Sequence, residues 1–454
     1  MTRYFVLFLI IAIITSVQFL YALEEVRAVW VPAWELISPD MIKSTVDDIA
    51  NANFNLIFAE VRYRADALYK PNRTDRAYKN FEPRSTFLNT APADFDPLLY
   101  LLDYAHSKGI SVHVWVTTFV ATRKEWKEGE LPFPTEWFTL DESGKPNDDS
   151  GQCWLDPALP QVQDYLINVF SDITVNYPID GFQLDYIRYP SDTFGHNPTA
   201  DYLFTNETSL DPKKDKDAFR KWKADKIKEF LSKLETSLHK IRPDMPISTA
   251  VIGGTAGAYN EFGQRWGEWL SEGLVDFVVP MCYSKDIKEV SKRLSEYIGV
   301  ANRQSVIVGI AILERDKGKY DTGEQVSDRI DMIRGNGFYG YCLFSHETLL
   351  KDNRQGLDIV SKRCNNTIAK LPKLRIPTKE RLPVVIVSIK GSKYYSVEYD
   401  TISTHRYALL KAKEIQYDTD CKVYIKNDGN WYNLYVGLFK DKSEAERLAG
   451  VLRR

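Results

Sequence analysis

Cysteine is scarce in this sequence. Five cysteines stand among 454 residues, and their odd number and wide spacing exclude the disulfide framework that stabilises small secreted domains. Cys282 and Cys342 lie inside apolar, strand-like runs, where a thiol packs as a small hydrophobic group. The chain therefore depends on an ordinary hydrophobic core, for which its apolar content of 44% is sufficient.

Several patterns that mark common functions are also absent from the sequence. The net charge of -3 gives no basic footprint for nucleic acid. No glycine-rich phosphate loop follows the first predicted strand, no cluster of His, Cys and carboxylates has metal-site spacing, and no G-x-S-x-G elbow occurs. We therefore expect no cofactor and no metal. Aromatic residues make up 13% of the chain, and such rings suit the apolar faces of sugars.

The first 23 residues indicate export. Arg3 precedes an uncharged run from Tyr4 to Leu23, and Ala22 supplies a small residue at a cleavage point. The run is also long enough for an uncleaved membrane anchor. The sequence thus predicts a signal peptide or a membrane anchor over 1–23, and a location in the periplasm or cell envelope.

Strand-like and helix-like runs alternate after this leader. Eight strands, each followed by a helix except at the closing end, over roughly 340 residues are typical of a (β/α)₈ TIM barrel with long loops. We assign residues 24–363 to this α/β domain. The predicted strands are residues 26–33, 55–62, 111–118, 180–187, 246–253, 276–283, 305–312 and 339–346.

The alternation lapses in a basic, proline-bearing stretch, residues 364–393, which we predict to be a linker with room for one short strand. A second unit follows over residues 394–454. Its strand-like and helix-like runs have the order βαββα, which predicts a small α+β domain whose sheet carries helices on one side and leaves the other face free.

The fourth predicted strand, within DGFQLDYI, carries polar residues on a face that its neighbours should bury. Side chains of a strand alternate between its two faces, so Phe182 and Leu184 share one face, while Gln183 and Asp185 share the other. If the apolar face packs on the outer helices, Asp185 enters the barrel mouth at the carboxyl end of its strand, where catalytic groups of such barrels lie.

The second predicted strand, within NLIFAEVR, supplies another inward carboxylate. Its alternation turns Glu60 and Arg62 inward near the strand end. Glycoside hydrolysis needs two carboxyl groups facing one cleft, because one protonates the leaving oxygen and the other acts as nucleophile or base. We therefore predict Asp185 and Glu60 as the catalytic pair. The structural alternative is a buried ion pair between Glu60 and Arg62 with no role in bond cleavage.

Further polar and aromatic residues at strand ends complete the predicted site. Arg62 would hold a neighbouring carboxylate ionised, Tyr283 would hydrogen-bond to one, and Trp154 would offer a platform for a sugar ring. Carboxylates that could replace Glu60 follow the first, seventh and eighth strands: Glu35, Glu314 and Glu347.

Several motifs along the chain together resemble those of a known protein family. They are RAVWVPAW, EVRYRADALY, HVWV, WLDPALPQVQDYL, DGFQLDYIRYP and VDFVVPMCY, in that order. Over roughly residues 26 to 350 the chain resembles the glycosyl-hydrolase-like 10 family of bacterial TIM-barrel proteins. The resemblance implies action on bacterial polysaccharide, and the family includes an envelope glycosidase that cuts peptidoglycan glycan strands. Asp185 is the position whose role the resemblance implies most directly. The predicted substrate-binding residues are Arg62, Asp66, Trp30, Trp115, Trp154, Arg188 and Tyr283.

Two further resemblances bear on mechanism and targeting. The fourth strand echoes the D-G-x-x-x-D-x-x-Y/W-P signature of chitinase-like barrels, but Ile187 stands where their catalytic glutamate would be, which argues against substrate-assisted chemistry. The C-terminal WYNLYVGLFKDKSEAERLAGVL is similar to the SPOR domain, a module that binds peptidoglycan strands stripped of stem peptides. Residues there that could line a glycan groove are Tyr395, Glu398, Tyr432 and Tyr435.

Together these patterns predict an exported glycoside hydrolase that cleaves peptidoglycan glycan strands and is held on denuded strands by its C-terminal domain. Two alternatives remain open. One is an envelope or division protein that grips glycan without cutting it, and the other is a glycosidase that acts on another extracellular polysaccharide.

Overall fold

Eight parallel strands close into a barrel in the computed structural model. Each strand pairs with its neighbours in chain order, and the eighth pairs with the first. The TIM-barrel prediction is therefore confirmed, and all eight strands lie within the predicted runs. They are β1 (Val26–Val31), β2 (Leu56–Arg62), β3 (Ser111–Thr117), β4 (Gly181–Asp185), β5 (Ile247–Ile252), β6 (Phe277–Met281), β7 (Val308–Ala311) and β8 (Gly340–Phe344).

The structure describes residues 23–375 apart from 125, 128, 317, 318, 352 and 353, and beyond them 384–389, 392–402, 409, 412, 415, 416, 421–427 and 432–452. The predicted leader thus falls outside the described residues, except for its last residue. Among the helices that are described, none is long and apolar enough to cross a bilayer.

Helices surround the barrel, and capping side chains set where several of them begin. Ser38 and Asp96 each accept a backbone hydrogen bond from the first turn of a helix that starts with proline. The described helices of the larger unit are α1 (Pro39–Asn51), α2 (Pro97–Ser107), α3 (Pro160–Asn176), α4 (Pro198–Thr208), α5 (Lys216–Ile241), α6 (Thr255–Phe262), α7 (Trp266–Ser271), α8 (Ile287–Val300), α9 (Gly323–Gly335), α10 (His346–Leu349) and α11 (Gln355–Arg363).

The strands bury two separate apolar layers. The larger layer lies between barrel and helices and includes Phe182 and Leu184 of β4. The smaller one fills the barrel and includes Trp30, Phe58 and Trp115. The predicted alternation of β4 is therefore correct, because its apolar residues face the helices and its polar residues face the barrel interior.

The smaller unit is an antiparallel sheet with a helix. The division between the two units falls after Leu374, within the stretch predicted as a linker. The elements are β9 (Val384–Ile389), β10 (Ser392–Ile402), β11 (Val423–Asn427), β12 (Tyr432–Phe439) and α12 (Lys442–Leu452). The sheet order is β9-β10-β12-β11, and β9 is a short strand within the predicted linker. Most residues between β10 and β11, where the first predicted helix of this unit falls, lie outside the described residues.

The first part of the predicted linker belongs to the barrel unit. Arg27 donates a hydrogen bond to the carbonyl oxygen of Thr367 at 2.5 Å, and Asn55 donates one to the carbonyl oxygen of Ala369 at 3.1 Å. Leu371 and Leu374 pack against the inner apolar layer. This segment therefore covers part of the barrel core.

Closure of the barrel gives a prediction about Gly340, which pairs with Val26 where β8 meets β1. A Cβ atom added to Gly340 would lie 2.1 Å from the carbonyl oxygen of Val26, so the two strands would have to separate. We expect Gly340→Ala to lower the free energy of unfolding of the barrel by at least about 2 kcal/mol, measured by urea denaturation with tryptophan fluorescence.

The matched control for this prediction is Gly335→Ala at the end of α9. No other described residue comes within 4 Å of a Cβ atom added there, and alanine favours the helix over glycine by up to about 1 kcal/mol. Equal stabilities of the two variants would contradict the importance of the β1–β8 contact.

Candidate active site

Asp185 ends β4 inside the barrel and is only 8% exposed. The indole N–H of Trp115 donates to its Oδ2 at 3.1 Å, and the backbone N–H of Tyr186 donates to its Oδ1 at 2.7 Å. Burial raises the pKa of Asp185, while these two donors and the charge of Arg188 oppose the rise. The carboxylate is therefore fixed in orientation by one donor on each oxygen.

Gln183 lies one layer deeper on the same face of β4. Its Oε1 accepts a hydrogen bond from the indole N–H of Trp30 at 2.7 Å. Two tryptophans from β1 and β3 thus donate to oxygen atoms of the polar side chains that β4 places inside the barrel. The Nε2 of Gln183 is buried without a hydrogen-bond partner among the described residues.

Glu60 comes from β2 and pairs in register with Trp115 of the intervening strand. Its Oε2 accepts a hydrogen bond from the backbone N–H of Ala33 at 3.2 Å, and the residue is 3% exposed. Burial raises the pKa of Glu60 to about 8, and the charge of Asp185 acts in the same direction. Glu60 therefore carries a proton at neutral pH.

Arg62 does not point into the barrel mouth, so its predicted orientation is wrong. A register shift between Glu60 and Arg62 interrupts the alternation of β2. The guanidinium instead pairs with Glu82 at 2.7 Å with no exposed surface on either side chain, and it lies over the ring of Phe170 in α3. The predicted alternative also fails, because Arg62 pairs with Glu82 and not with Glu60.

Asp66 follows β2 in the loop beside Glu60. Its Oδ2 accepts from the guanidinium of Arg123 at 2.6 Å and from the hydroxyl of Ser85 at 2.9 Å. Burial raises the pKa of Asp66 to about 6 despite these donors. The charge of Asp66 in turn raises the pKa of Glu60, so this loop helps to keep Glu60 protonated.

Aromatic rings form the floor and one wall of the mouth. Trp30 and Trp115 are 2% and 5% exposed and both contact Phe344 at the end of β8. Tyr283 is half-buried and stacks on Phe344 at 5.9 Å between ring centres. Burial raises the pKa of Tyr283 well above its usual value, and the nearby charge of Asp185 contributes. Tyr283 therefore lies in the site as a neutral hydrogen-bonding group.

Trp154 does not offer an open platform for a sugar. Its ring is 2% exposed, its indole N–H donates to Asp148 at 2.8 Å, and Tyr186 and Arg188 cover it at 5.4 and 5.0 Å. The predicted role as an exposed stacking surface is wrong. Trp154 instead supports two side chains that follow Asp185.

The carboxylates proposed as substitutes for Glu60 have other partners. Glu35 pairs with His346 at 2.7 Å, and Glu347 pairs with Lys351 at 2.6 Å. The side chain of Glu314 is outside the described part of the chain. Among the candidates that are described, Glu60 is therefore the carboxyl group that faces Asp185 without a cationic partner in ion-pair contact.

In the smaller unit, the four predicted glycan-binding residues do not all lie on one face of the sheet. Glu398 accepts a hydrogen bond from the hydroxyl of Tyr435 at 3.3 Å across β10 and β12, and Tyr395 pairs with Phe439. Tyr432 is half-buried and packs against the apolar core of this unit, so its place in a glycan groove stays a prediction. Tyr432 and Leu434 share a face of β12, and Tyr435 lies on the other.

Glu60→Gln should change how stability depends on pH. The Glu60 carboxyl keeps its proton in the folded chain up to about pH 8, whereas in the unfolded chain it ionises near 4.5. The folded chain therefore binds one more proton in this window, and its stability falls as pH rises. The free energy of unfolding of the variant minus that of the wild type should rise by up to about 1.4 kcal/mol per pH unit.

Urea denaturation of both proteins at a series of pH values from 4.5 to 8 measures this difference. A difference that does not vary with pH would contradict the raised pKa of Glu60.

Comparison with known proteins identifies both units by family. The model described as Glycosyl hydrolase-like 10 matches residues 25–313, and the SPOR domain model matches residues 406–454. The chain is 26% identical to the glycosyl hydrolase DigH of Escherichia coli K12 over 214 residues, which are 42% of this chain and 46% of that protein. The DigH of Shigella flexneri matches to the same extent. The chain thus spans about half the length of these curated relatives.

Solved structures agree on the barrel. The glycoside hydrolase domain of PgaB (BpsB) from Bordetella bronchiseptica has a TM-score of 0.53 at 15% identity and covers 74% of this chain and 98% of that domain. The catalytic domain of β-amylase from Paenibacillus polymyxa also has a TM-score of 0.53, at 13% identity, with 76% and 99% covered. At such identities the likeness supports the fold alone. Because the family model covers more than half of the chain, the protein belongs to the glycosyl hydrolase-like 10 family and carries a C-terminal SPOR domain.

Proposed function

We propose that this protein is an exported glycoside hydrolase that cleaves the glycan strands of peptidoglycan, with preference for strands that have lost their stem peptides. The observation that carries the proposal is the pair of inward carboxyl groups with unequal surroundings. Asp185 has a donor on each oxygen, whereas Glu60 is more deeply buried and accepts one backbone N–H.

This inequality assigns the two roles. Glu60, protonated at neutral pH, donates its proton to the glycosidic oxygen as the bond from that oxygen to the anomeric carbon breaks. Asp185 is the carboxylate that acts at the opposite side of the sugar, as nucleophile towards the anomeric carbon or as the base that takes a proton from the attacking water. If Asp185 acts as the base, the step leaves Glu60 ionised and Asp185 protonated, and one water molecule has been added across the glycosidic bond.

The surroundings of Asp185 suit a carboxylate that acts as nucleophile or base. Ionisation strengthens the hydrogen bonds from Trp115 and Tyr186, because a charged acceptor binds a donor more strongly than a neutral one does. The neutral phenol of Tyr283 can donate to the substrate or to the carboxylate. Trp115 holds the Asp185 carboxylate from below and packs against Trp30; both rings are too deeply buried to offer an open face to a sugar.

The SPOR domain supports a wall polymer as the substrate. Such domains bind peptidoglycan strands without stem peptides, and a second binding module on the same chain raises the local concentration of substrate at the barrel. A glycosidase for another extracellular polysaccharide would have less use for this module. Binding without cleavage is the remaining alternative, and it draws on Ile187, a buried residue at the position of the chitinase glutamate.

A hydrolysis assay distinguishes these alternatives. Purified full-length protein incubated with amidase-treated sacculi should release soluble glycan fragments, detected by chromatography and mass spectrometry. Asp185→Asn and Glu60→Gln should each lower the rate by about 10² to 10⁴, the usual contribution of a general acid or base.

Glu347→Gln is the matched control, since Glu347 is a half-buried rim carboxylate paired with Lys351, and its rate should stay within about threefold of the wild type. If the wild-type protein binds sacculi but does not cleave them, the proposal that it is an enzyme is contradicted. An unchanged rate in Asp185→Asn would contradict the assignment of the site.

The role of the smaller unit has its own test. Removal of residues 375–454 deletes one compact unit and leaves the barrel unit intact. We expect the truncated protein to lose retention on sacculi by about tenfold or more in a pelleting assay, while it still cuts soluble strands at a similar rate. Full retention after truncation would contradict tethering by the SPOR domain.

A further inference from the structure

Two arginines flank Asp185, and both rest on aromatic rings. Arg64 lies in the loop after β2, and Arg188 lies three residues beyond Asp185. Both side chains are partly exposed. Among the residues that the structure describes, neither forms an ion pair with a carboxylate within 4.0 Å.

Arg64 is held in place by its backbone. Arg64 and Ala65 both have left-handed backbone conformations, with φ of 54° and 59°, which non-glycine residues adopt at a cost and retain at functional sites. The backbone N–H of Arg64 donates to the hydroxyl of Thr117 at 2.9 Å, and Thr117 pairs in register with Asp185. The loop thereby brings Arg64 to the same end of the barrel as the catalytic carboxylate.

The guanidinium of Arg64 lies over the ring of Tyr63 at 3.9 Å. Its Nε is shielded from solvent and has no hydrogen-bond partner among the residues that the structure describes. A stacked guanidinium keeps its N–H donors at the ring edge, where they can bind an oxyanion in the plane. The stacked guanidinium of Arg64 is thus oriented so that its donors can bind an oxyanion.

Arg188 has a similar environment on the other side. Its guanidinium lies over the rings of Trp154, Tyr186 and Phe262 at 5.0, 5.2 and 4.8 Å. Within the described part of the chain, its guanidinium donates one hydrogen bond, to the carbonyl oxygen of Tyr189 at 3.4 Å. Its remaining donors are available to a ligand.

Two arginines near the same strand ends differ in that each has an ion-pair partner. Arg62 pairs with Glu82, although its Nη2 has no hydrogen-bond partner among the described residues, and Arg123 pairs with Asp66. Arg64 and Arg188 lie close enough to Asp185 for their charges to lower its pKa. Neither forms an ion pair with a described carboxylate, so their N–H donors can bind a further anion that a ligand supplies.

We propose that Arg64 and Arg188 form a subsite that binds the carboxylate of an acidic sugar next to the bond that is cut. The inference rests on the proposed function and specifies its substrate. In a peptidoglycan strand without stem peptides, each muramic acid residue bears a free lactyl carboxylate, whereas a stem peptide converts this group into an amide. The subsite therefore favours stripped strands by charge recognition in the barrel itself, independently of the SPOR domain.

The test compares two forms of one polymer with the full-length protein. Amidase-stripped strands are used as such, or after carbodiimide coupling to ammonia, which converts the lactyl carboxylates into neutral amides. We expect wild-type kcat/KM to be about tenfold or more higher for the carboxylate form. Arg64→Gln should lower kcat/KM for that form by about tenfold, mainly through KM, and leave the amide form within about threefold.

Arg64→Lys and Lys240→Gln are the controls. Arg64→Lys keeps the charge and should retain part of the preference, while Lys240→Gln removes one charge from the exposed end of α5 and should retain all of it. Equal rates on the two forms by the wild type, or equal losses on both forms in Arg64→Gln, would overturn the subsite and leave the proposed hydrolysis intact. Cleavage of neither form would instead refute the proposed function and the subsite with it.

Discussion

The interaction on which the site depends is the hydrogen bond from the indole N–H of Trp115 to Asp185. A carboxylate inside a barrel core is costly unless donors compensate for the lost water, and here the donor is itself fixed by packing against Trp30 and Phe344. The backbone N–H of Tyr186 holds the second oxygen. One packed aromatic layer therefore fixes the direction of the carboxylate and forms the floor of the cleft.

Two acids with different surroundings can take different roles in one reaction. Glu60 has one backbone donor and a deeply buried position, so burial dominates and the pKa rises to about 8. Asp185 is also raised by burial, but two donors and Arg188 favour its charged form. The negative charge of Asp185 raises the pKa of Glu60 further, and Glu60, the acid with fewer donors, holds the proton. This is the physical basis for naming Glu60 the acid.

Most of the barrel could be predicted from sequence, because alternation and strand length determine which side chains enter its interior. Asp185, Gln183 and Glu60 were located in this way. Arg62 was not, because a register shift after Glu60 reverses the alternation and leaves no mark in composition. Arg64 and the covering of Trp154 lie beyond the strands, where the two-residue period no longer applies. Their positions depend on left-handed loop residues and on contacts between distant segments.

The central claim is that, of the two acids, Glu60 is the one that holds a proton in the free protein at neutral pH. Infrared difference spectroscopy tests it directly, because a protonated carboxyl group has a C=O stretching band that a carboxylate lacks. At pH 7 the wild-type spectrum should contain such a band that Glu60→Gln abolishes and Asp185→Asn retains. A band that disappears in Asp185→Asn and persists in Glu60→Gln would contradict the account, since the proton would then reside on the other acid.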